Sequence, residues 1–300
     1  MLYQLVTIIV LLFTLITHAQ PSINIPADSL NKKRFVGVTT GIGTVWVGSI
    51  IGLSQVWYKD VESTKWHTFN DSGNWLQMDK MGHFYTAHKI NQLSTDLYRW
   101  TGYNRRKSLW IGTGISLGYQ TTIEMFDAYT VEWGFSWGDM LANVLGTSSY
   151  LSQELIWHEE RIIPKFSYAP TKFASIRPEV LGNTFAQSLL KDYNGQSYWL
   201  SASPGTFFKE SSFPKWLCFS FGYGANQKLV GSESSYIDPK TGIEYNEQRE
   251  FLFSLDVDFS RIPIKRKWLK ILVKQLNYLK VPFPTLIVRD GKLKGSILGY

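Results

Sequence analysis

Asp79, His83, Glu124 and Asp139 are the side chains of this sequence whose types and spacing could do chemistry together. They come from three stretches, MDKMGHFYTAHKI (78–90), GISLGYQTTIEMFDAYT (114–130) and SWGDMLANVLG (136–146). Asp79 and His83 are four apart and share a helix face, which Thr86 extends. Gln120, Glu124 and Asp127 follow at four and three, and Ser136, Asp139, Asn143 and Gly146 at three, four and three. Three helices each carry a polar stripe in apolar, glycine-rich surroundings. Burying such groups unpaired costs about 1–3 kcal/mol each, so the stripes are expected to face one another.

Two chemistries fit that set. The carboxylates and the imidazole can hold a divalent cation through oxygen and nitrogen. Alternatively, His83 can act as a general base, oriented by Asp79 or Glu124, on a lipid-linked or cell-wall substrate. The competing account is structural. Asp79 suits a helix N-cap, and Ser136 with Asp139 suits a capping start. Lys80, Gln120, Asp127, Ser136 and Asn143 would then complete a buried polar network joining the helices. Neither a metal identity nor a cofactor follows from the residues. There is no phosphate-cradling glycine loop and no Gly-x-Ser-x-Gly elbow, and His83 and His88, five apart, do not share a helix face.

Four helices must position these groups, over about 35–58, 80–100, 108–129 and 136–158. The first has no charge for 24 residues, the length of a membrane span, and carries five glycines of the kind found where helices pack closely. Lys32, Lys33 and Arg34 precede it, and Trp57 and Tyr58 close it. The alternative is a buried helix of a soluble bundle. A Pro-containing linker over 161–177 separates this helical domain, 35–160, from a smaller one, 178–300. There the sequence alternates over 216–224 and 251–259, the period of half-buried strands, and the two are expected to pair across the 225–250 loop. Phe251, Phe253 and Leu255 fall on one face, Ser254, Asp256 and Asp258 on the other. Residues 264–280 read as a basic amphipathic helix, suited to an anionic membrane surface or to docking on the sheet with its lysines in water. The fold class is α+β: a four-helix bundle, membrane-embedded where its first helix spans, followed by a small antiparallel β-rich domain with a basic amphipathic helix.

Residues 1–19 read as a secretory signal peptide with an apolar run over 5–16 and a small-residue cleavage site before Gln20; 20–34 is a polar leader. The chain is thus expected to be exported to a bacterial cell envelope, in the periplasm or at the outer membrane. Its single cysteine, Cys218, excludes an internal disulfide and a cysteine-based zinc site. Aromatics make up 15% of the chain, a richness that suits a lipid–water interface. The net charge of +7 is uneven: residues 1–160 hold 11 Lys/Arg against 13 Asp/Glu, and 161–300 hold 20 against 11. A basic half on an exported chain points to anionic lipid headgroups rather than nucleic acid. No protein partner is indicated.

The 79–146 block resembles the YfiM-type periplasmic lipoprotein family, a domain of unknown function, and more distantly the VanZ-like membrane proteins. The shared pattern is Asp-Lys-x-x-His-Phe, a Glu after a glycine-rich helix, and Ser-x-x-Asp-x-x-x-Asn-x-x-Gly. Here these are Asp79, Lys80, His83 and Phe84; Glu124; and Ser136, Asp139, Asn143 and Gly146. The resemblance implies a helical, membrane-associated domain and no defined activity. The sequence departs from the lipoprotein pattern in having no cysteine near the expected cleavage site. Together these readings give a membrane-associated envelope protein with a structural or interaction role. The alternative is an envelope enzyme or metal-binding protein working through Asp79, His83, Glu124 and Asp139.

Overall fold

The computed structural model describes residues 27, 29–59, 61–208 and 210–299. The stretch read as a signal peptide and most of that read as a polar leader lie outside the described residues. Helix α1, Lys32–Leu53, continues as a π-helical turn, Ser54–Tyr58. Helices α2 (Met78–Trp100), α3 (Arg105–Asp127) and α4 (Trp137–Ile156) follow. Local chemistry sets their starts. Asn31, Asn104 and Ser136 each accept a hydrogen bond from the backbone N–H three residues on, satisfying one of the donors a helix start leaves open.

The start of α2 is different. Trp75, Leu76 and Gln77 all adopt positive φ (50°, 53° and 62°), and Gln77, not Asp79, is the N-cap residue. Three consecutive left-handed residues other than glycine are costly and persist only where the surroundings hold them. Here the sheet does so. Trp75 N–H donates to the Gly231 carbonyl at 2.9 Å, the Tyr223 hydroxyl donates to the Leu76 carbonyl at 2.6 Å, and Arg249 donates to the Gln77 side chain at 2.6 Å. This turn aims Asp79 and Lys80, one and two residues into the helix.

The second part is an antiparallel sheet of six strands in the order β1-β2-β3-β6-β7-β8. Its strands are β1 (Ile162–Tyr168), β2 (Gln196–Ala202), β3 (Leu217–Asn226), β6 (Gln248–Val257), β7 (Phe283–Arg289) and β8 (Lys292–Gly299). The hairpin β4 (Ser235–Ile237) and β5 (Glu244–Asn246) stands apart. The expected pairing of the two alternating segments is present: β3 lies against β6, with Phe219 opposite Leu255 and Phe221 opposite Phe253. The stretch read as a linker carries β1.

Five short helices bring the α-helices to nine among the described residues, not four: α5 (Phe173–Ile176), α6 (Pro178–Leu181), α7 (Phe185–Lys191), α8 (Pro204–Phe207) and α9 (Lys267–Lys274). Each is 4 to 8 residues long and joins strands; the last falls inside the 264–280 segment read as an amphipathic helix, whereas the other four, of 4 to 7 residues, are too short for the 3.6 periodicity to register in the sequence.

The strand period left open which face of the sheet is inside. The alternation in β6 is real, but Phe251, Phe253 and Leu255 are 39%, 47% and 38% exposed, whereas Leu252 and Asp256 are buried. The aromatic face looks outward. The inner face closes on polar groups instead: Lys165 lies 2.9 Å from Asp256, and the Ser201 hydroxyl donates to the same carboxylate at 2.6 Å. Two lysines of the basic segment also face inward, while Lys265, Arg266 and Lys270 stay exposed. Lys274 pairs with Asp96 of α2 and Lys280 donates to the Leu255 carbonyl at 2.8 Å, while Trp268, Leu276 and Leu279 are about half exposed.

Candidate functional site

The helices α2, α3 and α4 pack closely enough to bring their polar stripes together. A Cβ added at Gly146 would lie 2.1 Å from the Phe84 carbonyl oxygen, and one at Gly112 would lie 2.3 Å from Thr95 Oγ1. Both glycines are sites where α2 is approached within backbone contact, by α4 and α3 respectively. The stripes meet at the end of the bundle formed by the starts of α2 and α4 and the end of α3.

His83 is the hub. Its Nδ1 lies 3.1 Å from Asn143 Oδ1 and 3.5 Å from Glu124 Oε1. Its Nε2 faces Asp79 Oδ1 at 3.8 Å, too long for a hydrogen bond. Asp79 Oδ1 accepts from the Tyr193 hydroxyl at 3.0 Å. Lys80 Nζ lies 2.9 Å from Asp139 Oδ1 and 3.5 Å from Asp79 Oδ2, and pairs more closely still with Asp71. Ser136 caps α4 and donates its hydroxyl to Asp71 at 2.6 Å. Partial burial pushes the Asp71 carboxyl up, but hydrogen bonds from Lys80 and Ser136 more than offset this and hold it below the usual range.

Glu124, 1% exposed, has no hydrogen-bond partner on either carboxylate oxygen. Asn143 is fully buried, and its Nδ2 is likewise unpartnered. Asp139 Oδ1 has the Lys80 ammonium 2.9 Å away as its ion-pair partner and no other donor among the described residues. A closed structural network pairs its buried groups; this one leaves Glu124 and the Asn143 amide nitrogen open beside one imidazole. Counting Asp71, the carboxylates (Asp71, Asp79, Glu124 and Asp139) outnumber the basic groups, Lys80 and His83.

The expected residues thus divide. Asp79, Lys80, His83, Glu124, Asp139 and Asn143 converge, with Ser136 at the rim. Gln120 serves the neighbouring turn, donating to Thr86 Oγ1 at 2.7 Å and to the His83 carbonyl at 3.3 Å. Asp127 faces α1, accepting from the Tyr58 hydroxyl at 2.6 Å. Asp71 and Tyr193 were missed. Asp71 lies in a turn-forming Asn-Asp-Ser-Gly stretch that reads as loop chemistry, and Tyr193 is 114 residues from the Asp79 it touches.

Residues 66–154 match the model of a family described as "Predicted periplasmic lipoprotein (DUF2279)", a domain of unknown function. The match takes in all three stretches that build the centre. It supports an exported envelope protein and the periplasmic lipoprotein side of the resemblance, and carries neither the YfiM nor the VanZ-like name. No curated protein and no solved structure matches the chain.

Proposed function

We propose that this chain is an exported, membrane-associated cell-envelope protein with a structural or interaction role, its helical part set against lipid and its helices α2, α3 and α4 tied together by the polar centre. One observation carries the reading: the helical part is polar inside and apolar outside. His88, Asn91, Ser116, Gln120 and Asn143 are at most 1% exposed. Val47, Ile51, Trp137, Leu141, Leu145 and Ile156 are each more than half exposed. Water disfavours an apolar exterior of that extent, whereas lipid favours it and drives polar groups to pair between helices. α1 with its π-helical turn is 27 residues long and apolar enough to cross a bilayer. Lys32, Lys33 and Arg34 begin it, and the Arg34 guanidinium stacks 4.5 Å over the Trp100 ring, an arrangement suited to a headgroup boundary.

The test is an alkaline carbonate wash of membranes from cells expressing the full chain. The protein is expected to stay in the pellet, and a variant combining Val47→Glu with Leu141→Glu to be retained less. A wild-type chain recovered folded in the supernatant without detergent would overturn the reading.

A second reading is favoured by the unpartnered Glu124: an envelope enzyme or metal-binding protein acting on a lipid-linked or cell-wall substrate through Asp79, His83, Glu124 and Asp139. His83→Ala separates the two. A scaffold role predicts loss of thermal stability; a chemical role predicts a protein as stable as wild type that fails to restore a deletion phenotype.

A further inference from the structure

We infer that Asp79, His83 and Asp139 bind one divalent first-row transition cation, with zinc and manganese the natural probes, and that Glu124 and Asn143 hold the histidine ligand in place. Three observations support the site. The first is geometric: one ligand atom from each of Asp79, His83 and Asp139 lies within 4.8 Å of the others. With bonds of about 2.1 Å an ion accepts ligands up to about 4.2 Å apart, so a small side-chain adjustment closes the set.

The second is the histidine's orientation. Nδ1 is turned to Asn143 Oδ1 at 3.1 Å and to Glu124 Oε1 at 3.5 Å. A proton on Nδ1 serves both acceptors and leaves the Nε2 lone pair aimed at the Asp79 side. A metal-bound histidine characteristically uses its second nitrogen in this way. Glu124, 1% exposed with both oxygens unpartnered, is explained by such a role: a buried carboxylate facing an imidazole that an ion polarises. The third is Asp139 Oδ1, buried and aimed into the cluster, with the Lys80 ammonium 2.9 Å away as an ion-pair neighbour.

Lys80 does not block the site. Asp71 and Ser136 lie beside it, so its ammonium can rest on Asp71 while Asp139 turns to the ion. One imidazole with two carboxylates selects against calcium and magnesium, which take oxygen alone, and the lack of a thiolate argues against copper(I). The tyrosine hydroxyl of Tyr193, 3.0 Å from Asp79, brings the sheet part into contact with a ligand, so the ion would brace both parts of the chain. The inference deepens the polar centre of the proposed function but does not depend on the membrane reading, because metal content is measured on the purified chain whichever way the carbonate wash falls.

The experiment uses the full chain, purified, stripped with chelator and titrated separately with zinc and with manganese. Bound metal is measured by elemental analysis and melting temperature is followed in parallel. One ion per chain is expected, with a raised melting temperature. Asp139→Asn should abolish stoichiometric binding, and Glu124→Gln should keep the stoichiometry but weaken affinity about 10–100-fold, the usual effect of removing a group behind a ligand. X-ray absorption of the zinc form should show nitrogen and oxygen neighbours and no sulfur. These results in the wild type hold even where one variant fails to fold. A folded wild-type chain that binds neither ion overturns the inference, as does binding that survives unchanged in a folded Asp139→Asn protein.

Discussion

At the residue scale, the unusual group is Glu124. It is buried on α3, the middle of the three helices of the centre, with no hydrogen bond to either oxygen and with other carboxylates of the centre around it. Removing a buried, uncompensated charge stabilises a fold by about 1–3 kcal/mol. Glu124→Gln is therefore expected to raise the melting temperature of chelator-treated protein by several degrees, measured by circular dichroism in detergent. An unchanged or lowered value would mean that the carboxylate is already compensated. Glu160 is the opposite case. Burial pushes its carboxyl up, but Lys89, the hydrogen bond and charge of His88, and Lys274 more than offset this and hold it at about 2; Arg261 donates to its backbone carbonyl. A depressed folded value means that its contribution is complete above the ordinary value of about 4.5 and fades as pH falls from there towards 2. Wild type should exceed Glu160→Gln in stability at pH 6, by on the order of 2–3 kcal/mol. The difference should vanish near pH 2 in acid-unfolding curves; a gap independent of pH would refute the assignment.

At the element scale, close approach decides the site. Gly146 was legible as the last member of a polar stripe, but its role follows from distance: α4 passes α2 with no room for a methyl group beside the Phe84 carbonyl. Because the obstruction is backbone, no rotamer change relieves it. Gly146→Ala is expected to cost about 1–3 kcal/mol and to displace Asn143, one turn earlier, from His83. Denaturant midpoints would register the first effect and weakened metal binding the second. The helices were readable because their periodicity and caps are local; Ser136 accepts from Asp139 N–H as its sequence suggested. The start of α2 was not, since three left-handed residues are held by Gly231, Tyr223 and Arg249, all supplied by the distant sheet part.

At the scale of the whole molecule, both parts turn apolar surface outward. The sheet shows it in a ladder of rings: Phe221 stacks on Phe251 at 6.2 Å and meets Phe253 edge-on at 5.2 Å, on an exposed face. A triple variant, Phe219→Ser, Phe221→Ser and Phe253→Ser, is expected to bind anionic vesicles more weakly in flotation. It should lose no more than about 1 kcal/mol per site in stability, since these rings are already 56%, 42% and 47% exposed. A large loss of stability with unchanged flotation would mean that the face is core rather than contact surface.

The sequence by itself determined the four long helices, the pairing of the two alternating strands and the convergence of Asp79, His83, Glu124 and Asp139. All of these rest on periods of 3.6 and 2 and on the cost of leaving polar groups unpaired. Only the tertiary structure decided which way each face looks. Alternation separates the rings of β6 from Asp256 and Asp258 but is symmetric under inversion, so it does not say which set is inside. That depends on what lies across the sheet, where Lys165 and Ser201 receive Asp256. The same holds for Asp71 and Tyr193 at the centre. Tyr193 reaches Asp79 across 114 residues, and Asp71 reaches Lys80 around the left-handed turn of Trp75, Leu76 and Gln77 that the sheet part holds; the local pattern carries no information on either.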